Sequence, residues 1–252
     1  TLNPILSKIF FVCSKSSTSN SGNCDAEVIL PLFDLYHQKA FSLLEGMFAI
    51  CIVDQKNNKL YLARDKAGQK PLYYQHDSSS FSFSSEAKVL LNSNKNNELD
   101  KKSLANYLRY GHLPFENTLV ENIKKVKPAH FLTYDLKKDD LTQQQYWSIK
   151  KQTVKNNKNL VRQLDQLLQQ AVEKRLMADC PVGAFLSGGL DSSLVCHYAS
   201  QKIDHLKTYS ISFPQAGYKN ESKFSNWAAN YLKTDHTEIE CKAEKVKTII
   251  EN

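Results

Sequence analysis

Pro181-Val-Gly-Ala-Phe-Leu-Ser-Gly-Gly-Leu-Asp-Ser-Ser193 is the most informative stretch of the chain. Val182 to Leu186 is a short apolar run suited to a buried strand, Ser187-Gly188-Gly189 is a turn, and Ser192 to Gln201 has helical character. A strand that delivers two glycines to a turn opening a helix brings backbone N–H groups and a helix N-terminus to one point, where an anion can sit. Glycine suits that turn because a Cβ would keep phosphate away from the backbone and would penalise positive φ. Ser187, Ser192 and Ser193 add hydroxyl donors. Asp191 has the same sign of charge as a phosphate, so a role here calls for a cation between them, and a Mg²⁺ ligand fits. A tight turn followed by a capped helix would explain three such residues, but not seven in this setting.

Outward from this stretch, Thr208 to Phe213 is β-rich and completes a strand–helix–strand unit with parallel strands. Glu221 to Leu232 follows as a helix with Phe224, Ala228, Tyr231 and Leu232 on its face, then a strand over Thr237 to Cys241. Upstream, Leu160, Leu164, Leu167, Leu168, Ala171, Val172 and Leu176 recur with the rhythm of an amphipathic helix. The second half is therefore α/β. The first half reads differently. A helix over Ala26 to Tyr36 starts behind Asp25 as its cap, and Gly46 to Asp54 and Leu60 to Ala63 form a hairpin through Asn57-Asn58. Leu72 to Gln75 and Phe81 to Phe83 are strands joined by His76, Asp77 and a serine run; Lys101 to Tyr110 is a helix stopped by Gly111; Ala129 to Tyr134 is a last strand. Antiparallel pairing dominates here. The polar stretch Asp135 to Gln145, with the Lys150 to Lys158 run, is the linker candidate.

The 252 residues are 41% hydrophobic and 23% charged, which suits one large or two small globular domains and excludes disordered, fibrous and collagen-like classes. The longest strictly apolar run, Met47 to Val53, is far short of the roughly 18 residues a spanning helix needs, so no membrane association is expected. The net charge of +7 is spread along the chain and suits anionic small molecules. Lys124, Lys125 and Lys127 have no interleaved aromatics to stack bases, so nucleic acid is not expected as a partner. Six cysteines without a C-x-x-C pair fit reduced thiols, and with no secretory leader a cytoplasmic location is expected. The chain begins at Thr1 and ends at Asn252 just after the apolar helical run Val246 to Ile250, which suggests a piece cut at both ends.

The glycine spacing is not the G-x-x-x-x-G-K-[ST] of P-loop enzymes. It matches S-G-G-x-D-S-S and so resembles the pyrophosphate loop of the ATP pyrophosphatases, which cleave ATP between the α and β phosphates. Leu44-Glu-Gly-Met-Phe-Ala-Ile50, Arg64-Asp-Lys-Ala-Gly-Gln-Lys-Pro-Leu-Tyr-Tyr74 and Phe83-Ser-Ser-Glu-Ala-Lys88 resemble consecutive blocks of the class II glutamine amidotransferase domain. Tyr107-Leu-Arg-Tyr-Gly111, Ile123 to Phe131 and Tyr146-Trp147 are similar to it as well. With Arg175 to Ser193 added, the chain resembles the glutamine-hydrolysing asparagine synthetases from about Cys24 to His236.

The resemblance implies a partial Ntn-type αββα amidotransferase domain over residues 1–148, then part of a Rossmann-like parallel α/β ATP-binding domain over 149–252. It implies a two-step enzyme whose substrates are glutamine, aspartate and ATP, with Mg²⁺, and it is compatible with a homodimer. Glutamine would release ammonia, the β-carboxylate of aspartate would be adenylated, and ammonia would displace AMP. Enclosure would protect the activated acyl group from water. Carried over residue by residue, Asp25 is expected to meet the α-ammonium of glutamine. Leu186, Ser187, Gly188, Gly189, Leu190, Asp191, Ser192, Ser193 and Ile211 are expected at ATP, and Asp191 at the metal. Leu186 and Ile211 would hold adenine through their backbones, their side chains being core. Arg64 and Asp65 are expected to form a structural charge pair at a strand end, and Glu86 and Lys88 to belong to internal packing. His236 matches a recurrent family histidine whose role is open.

No catalytic residue is assigned, because the family's N-terminal cysteine nucleophile is absent from these residues, and a second ATP-contacting Ser-Gly segment would lie beyond Asn252. Ala67 in place of an aromatic, Gln69 in place of an apolar residue and Ala129 in place of glycine mark a divergent branch. Two other outcomes stay open: an amidotransferase acting on another carboxylate, such as a surface-polysaccharide sugar acid, or closing a β-lactam; and an inactive gene remnant.

Overall fold

The computed structural model describes residues 9–13, 25–77, 80–93, 97–114, 116–151, 159–178, 180–213 and 221–241; of 9–13, Asp25 and Ser93 it describes the backbone alone. Thr1, Cys24, part of the serine run, Lys158 and the Val246 to Ile250 run lie outside the described residues. The chain divides into two compact units, Thr1–Lys151 and Gln152–Asn252.

The first unit carries a five-stranded sheet of β1 (Ile9–Cys13), β2 (Ala49–Asp54), β3 (Lys59–Arg64), β7 (His130–Asp135) and β8 (Asp140–Gln145), in that order across the sheet. β1 runs parallel to β2, while β2, β3, β7 and β8 pair antiparallel. A second sheet has the order β5 (Phe81–Ser84), β4 (Tyr73–His76), β6 (Ile123–Lys125). Period-2 alternation sorts the first sheet's side chains into two cores. Ala49, Cys51, Leu62 and Leu132 meet Leu72, Tyr74 and Val126 between the sheets. Ile50, Ile52, Tyr61, Ala63 and Phe131 face α1 (Ile29–Tyr36) and α2 (Ala40–Leu43) through Ile29, Phe33 and Phe41. With α3 (Ala87–Ser93) against β4 and β5, the layers run helix, sheet, sheet, helix. α4 (Lys101–Tyr110) starts at Asp100, whose carboxylate accepts from the Lys102 and Ser103 N–H groups, and stops at Gly111 with φ 71°.

Several expectations need correcting. Asp135 to Gln145 is not a linker: β7 and β8 form a hairpin in full register. β8 is an edge strand, with Asp140, Thr142, Gln144 and Gln145 exposed, and an edge needs only one ladder of backbone bonds. The segment from Asp25 to Tyr36 begins as a 3-10 turn over Asp25–Val28, and α1 starts only at Ile29 with Val28 at its N-cap position, so Asp25 does not stand at the start of α1. Arg64 and Asp65 attract each other as expected, but both are also spent on the loop backbone. The guanidinium donates to the carbonyls of Lys70, Gly68 and Val126 at 2.8, 2.6 and 2.8 Å, while the buried Asp65 carboxylate accepts from the N–H groups of Ala67, Gln69 and Lys70. Glu86, just before α3, and Lys88, within it, lie exposed rather than in internal packing, because α3 turns Leu90 inward instead. Ala129 has φ 59°, left-handed backbone that glycine would adopt more readily.

The second unit holds a three-stranded parallel sheet of β11 (Asp235–Glu240), β10 (Lys207–Ser212) and β9 (Gly183–Phe185), in that order. It is flanked by α5 (Leu160–Glu173), α6 (Leu190–Ser200) and α7 (Ser222–Leu232). Val172, Leu186, Cys196, Tyr198, Ala199, Leu206, Ala228 and Ala229 form its core.

Candidate nucleotide site

β9 is pinned to β10 in register, Phe185 opposite Tyr209, and the Leu186 N–H extends the pairing by donating to the Tyr209 carbonyl at 2.8 Å. Leu186 is fully buried, so the chain leaves the sheet from a fixed point. It turns at once. Gly188 has φ 79°, and a Cβ built on it would lie 2.4 Å from the Phe224 carbonyl carbon and 2.6 Å from the Ser225 nitrogen. The loop backbone therefore rests on the first turn of α7, an approach only glycine permits. Gly189 returns to extended geometry as the N-cap of α6. Hydroxyls from both sides of the turn brace it: Ser187 Oγ accepts from the Gly189 N–H at 3.3 Å and lies 3.0 Å from Ser192 Oγ, which donates to the Gly189 carbonyl at 3.2 Å.

The outcome is an open helix N-terminus above the C-terminal end of a parallel strand, the position where open α/β sheets bind ligands. The first N–H groups of α6 have no carbonyl of their own helix to bond and carry the positive end of its dipole. Leu190 and Asp191 are exposed at the mouth, and Ser192 and Ser193 are half-buried behind them. A groove of about 370 Å³ lined by residues 181–185, Lys207 and Tyr209 lies on the other side, towards the N-terminal ends of β9 and β10, away from these groups.

The structure thus brings Leu186, Ser187, Gly188, Gly189, Leu190, Asp191, Ser192 and Ser193 into one strand–loop–helix corner. Ile211 stands on the neighbouring β10, but its side chain is not core: it is 52% exposed. β10 alternates, with Thr208, Ser210 and Ser212 buried beneath α7, while Ile211 shares the open face with Phe185 and Ile239. Asp25 lies in the first unit at the start of its 3-10 turn. His236 has both ring nitrogens occupied, Nδ1 2.9 Å from Thr208 Oγ1 and Nε2 3.1 Å from Ser210 Oγ. Of the lysine run, Lys125 Nζ donates to the Leu113 carbonyl and Lys127 pairs with Glu116 at 3.2 Å, while Lys124 is exposed.

Missed in the sequence was the support under the loop. Ser222 Oγ and Asn226 Nδ2 of α7 donate to the Glu238 carboxylate of β11 at 2.7 and 2.8 Å. Hydrogen bonds from Ser222, Ser212 and Asn226 hold that carboxyl below its usual range. Alternating hydroxyls on β10 and the histidine and glutamate two apart on β11 were the available signal.

Residues 13–147 match the family model of a glutamine amidotransferase domain, and residues 163–252 that of asparagine synthase. The chain is 34% identical over 216 residues to a putative glutamine-hydrolysing asparagine synthetase of Methanocaldococcus jannaschii, covering 84% of this chain and 42% of that protein. It is 35% identical over 207 residues to asparagine synthetase 1 of Bacillus subtilis, covering 81% and 32%. Against the Mus musculus asparagine synthetase the identity is 31% over 237 residues, covering 86% and 39%. The chain spans less than half the length of these curated relatives.

Proposed function

From the premise that this chain belongs to the family of glutamine-hydrolysing asparagine synthetases, we propose that the protein containing it is an ATP-dependent amide ligase making asparagine from aspartate, with glutamine as nitrogen donor. The observation that carries this reading is the 187–193 loop, a glycine turn at φ 79° beneath an open helix N-terminus, joined in one chain to an amidotransferase domain. A carboxylate is a poor electrophile, and adenylation by ATP gives it a leaving group that ammonia can displace.

The loop amides and the Ser187 and Ser192 hydroxyls would bind the pyrophosphate of ATP, with Ser193 behind them. The backbones of Leu186 and Ile211 would flank the adenine. Asp25 would meet the α-ammonium of glutamine in a first domain running to residue 148. Among the described residues no group of three or more His, Cys, Asp or Glu could hold a metal ion. The exposed Asp191 carboxylate would offer one protein oxygen, which fits Mg²⁺ arriving with nucleotide phosphates rather than alone. Bound there, Mg²⁺ would neutralise phosphate charge. Among the described residues no helix is long and apolar enough to cross a membrane. Similarity to metabolic amide ligases supports a cytoplasmic location.

Calorimetric titration of the chain with ATP tests the site. Binding in Mg²⁺ should weaken about tenfold in Ser187→Ala and Asp191→Ala, and the Asp191→Ala loss should shrink without Mg²⁺. Equal affinity in all three proteins would overturn the assignment. In the full-length protein, Asp191→Ala should abolish asparagine formation while glutamine hydrolysis persists.

A further inference from the structure

A parallel sheet is ordinarily apolar on both faces. The face of β10 beneath α7 is not: Thr208, Ser210 and Ser212 are 0%, 7% and 5% exposed, and Ser225 of α7 is fully buried opposite them. Hydroxyls so placed cost stability unless each finds a partner, and here they do. Thr208 Oγ1 lies 2.8 Å from Thr234 Oγ1 and 2.9 Å from His236 Nδ1. His236 Nε2 lies 3.1 Å from Ser210 Oγ, and Ser225 Oγ lies 3.4 Å from Ser210 Oγ and 3.1 Å from the Ser222 carbonyl. Hydroxyls donate or accept, so either imidazole tautomer is satisfied. The imidazole is the one member that bridges two successive inward positions of β10.

This chain of contacts ends under the nucleotide corner. Ser225 supplies the backbone nitrogen on which Gly188 rests, and Phe224 the carbonyl carbon beside it. A shift of the first turn of α7 is therefore a shift of the floor beneath the glycine turn, and the loop amides move with it. We propose that His236 is a positioning residue for the 187–193 loop, acting through Ser210 and Ser225 on the first turn of α7. It touches no nucleotide; its role rests on the nucleotide reading of the loop given above.

The test compares His236→Ala, His236→Gln, His236→Asn and Ser225→Ala in the whole chain, with thermal melting to establish that each is folded. The probes are inorganic pyrophosphate with Mg²⁺, which reports the loop, and adenosine, which reports the adenine side. His236→Ala should weaken pyrophosphate binding about tenfold and leave adenosine binding within about twofold. A Gln amide nitrogen reaches where imidazole Nε2 stood and should restore binding through Ser210, whereas the shorter Asn reaches only towards Thr208 and should not. Ser225→Ala should repeat the His236→Ala pattern. In parallel, hydrogen exchange of the Gly188 and Gly189 amides without ligand should quicken in His236→Ala and not in His236→Gln. A folded His236→Ala protein with unchanged pyrophosphate affinity and unchanged loop exchange would overturn the proposal, as would equal loss of both probes. If the unaltered chain binds no pyrophosphate while loop exchange still follows His236, the nucleotide reading fails and the positioning link stands.

Discussion

Gly188 has no substitute in its loop. Left-handed backbone alone costs a non-glycine residue about 1–2 kcal/mol, and here a Cβ would also meet α7 main chain, which cannot swing aside. Gly188→Ala should therefore lower the melting temperature and abolish measurable pyrophosphate binding, whereas Gly189→Ala, whose Cβ would meet only Ser187 Oγ at 3.4 Å, should be milder in both. Melting curves and calorimetry of the pair check the contrast. Cysteine reactivity is set the same way, by surroundings. Burial pushes the Cys51 thiol up to about 12, while Cys180 is exposed. Brief alkylation of the native protein near neutral pH should label Cys180 and spare Cys51 until the protein is unfolded, as peptide mapping would reveal. The residues of the nucleotide corner were legible in the sequence because Ser, Gly and Asp at that spacing have few other uses. The layer beneath it was not, because Thr208, Ser210 and His236 gain their meaning only from strand register.

Elements were legible in proportion to how many of their side chains face a core. β2 and β3 announce themselves through apolar runs around an Asn58 turn at φ 52°. β8 escapes because only Leu141 of its side chains packs on the core and its evidence lies in backbone bonds to β7, which no hydropathy pattern records. α4 is the opposite case, a helix whose start is a single carboxylate. Asp100 is held below the usual carboxylate range by its hydrogen bonds from the Ser103 side chain and backbone. A depressed folded pKa means stability that is present above the unfolded value near 4 and lost as pH falls through the folded one. Asp100→Ala should thus lower the melting temperature at neutral pH. Asp100→Asn, which caps without titrating, should match the parent there and exceed it near pH 3.

At the scale of the molecule, the same sign recurs. Asp135 is held low by backbone N–H groups of Lys137 and Lys138, Asp139 by the Tyr134 hydroxyl and His76, and Glu173 by Lys202 and Gln169. All are exposed or nearly so, so each contributes little alone, but all lose their contribution in the same acid window. The net charge of +7 rises further as carboxylates protonate. Melting temperature should therefore fall steadily below about pH 4.5, and a profile flat down to pH 3 would contradict this assignment of partners. The contrast between a mainly antiparallel first half and a parallel second half was legible, since alternating strands and strand–helix–strand order leave different periodicities, but β1, which runs parallel to β2, was not read from the sequence.

The hydroxyl layer under α7 also bears on how the second unit responds to temperature. Exposing apolar area on unfolding raises heat capacity by about 0.45 cal/K/mol per Å², while exposing polar area lowers it by about 0.26. A seam of serines, threonines and an imidazole therefore subtracts from the curvature that a leucine-filled seam would add. Differential scanning calorimetry should find a smaller heat-capacity step per residue in the second unit than in the aromatic-rich first, and a free energy of folding that declines less on cooling.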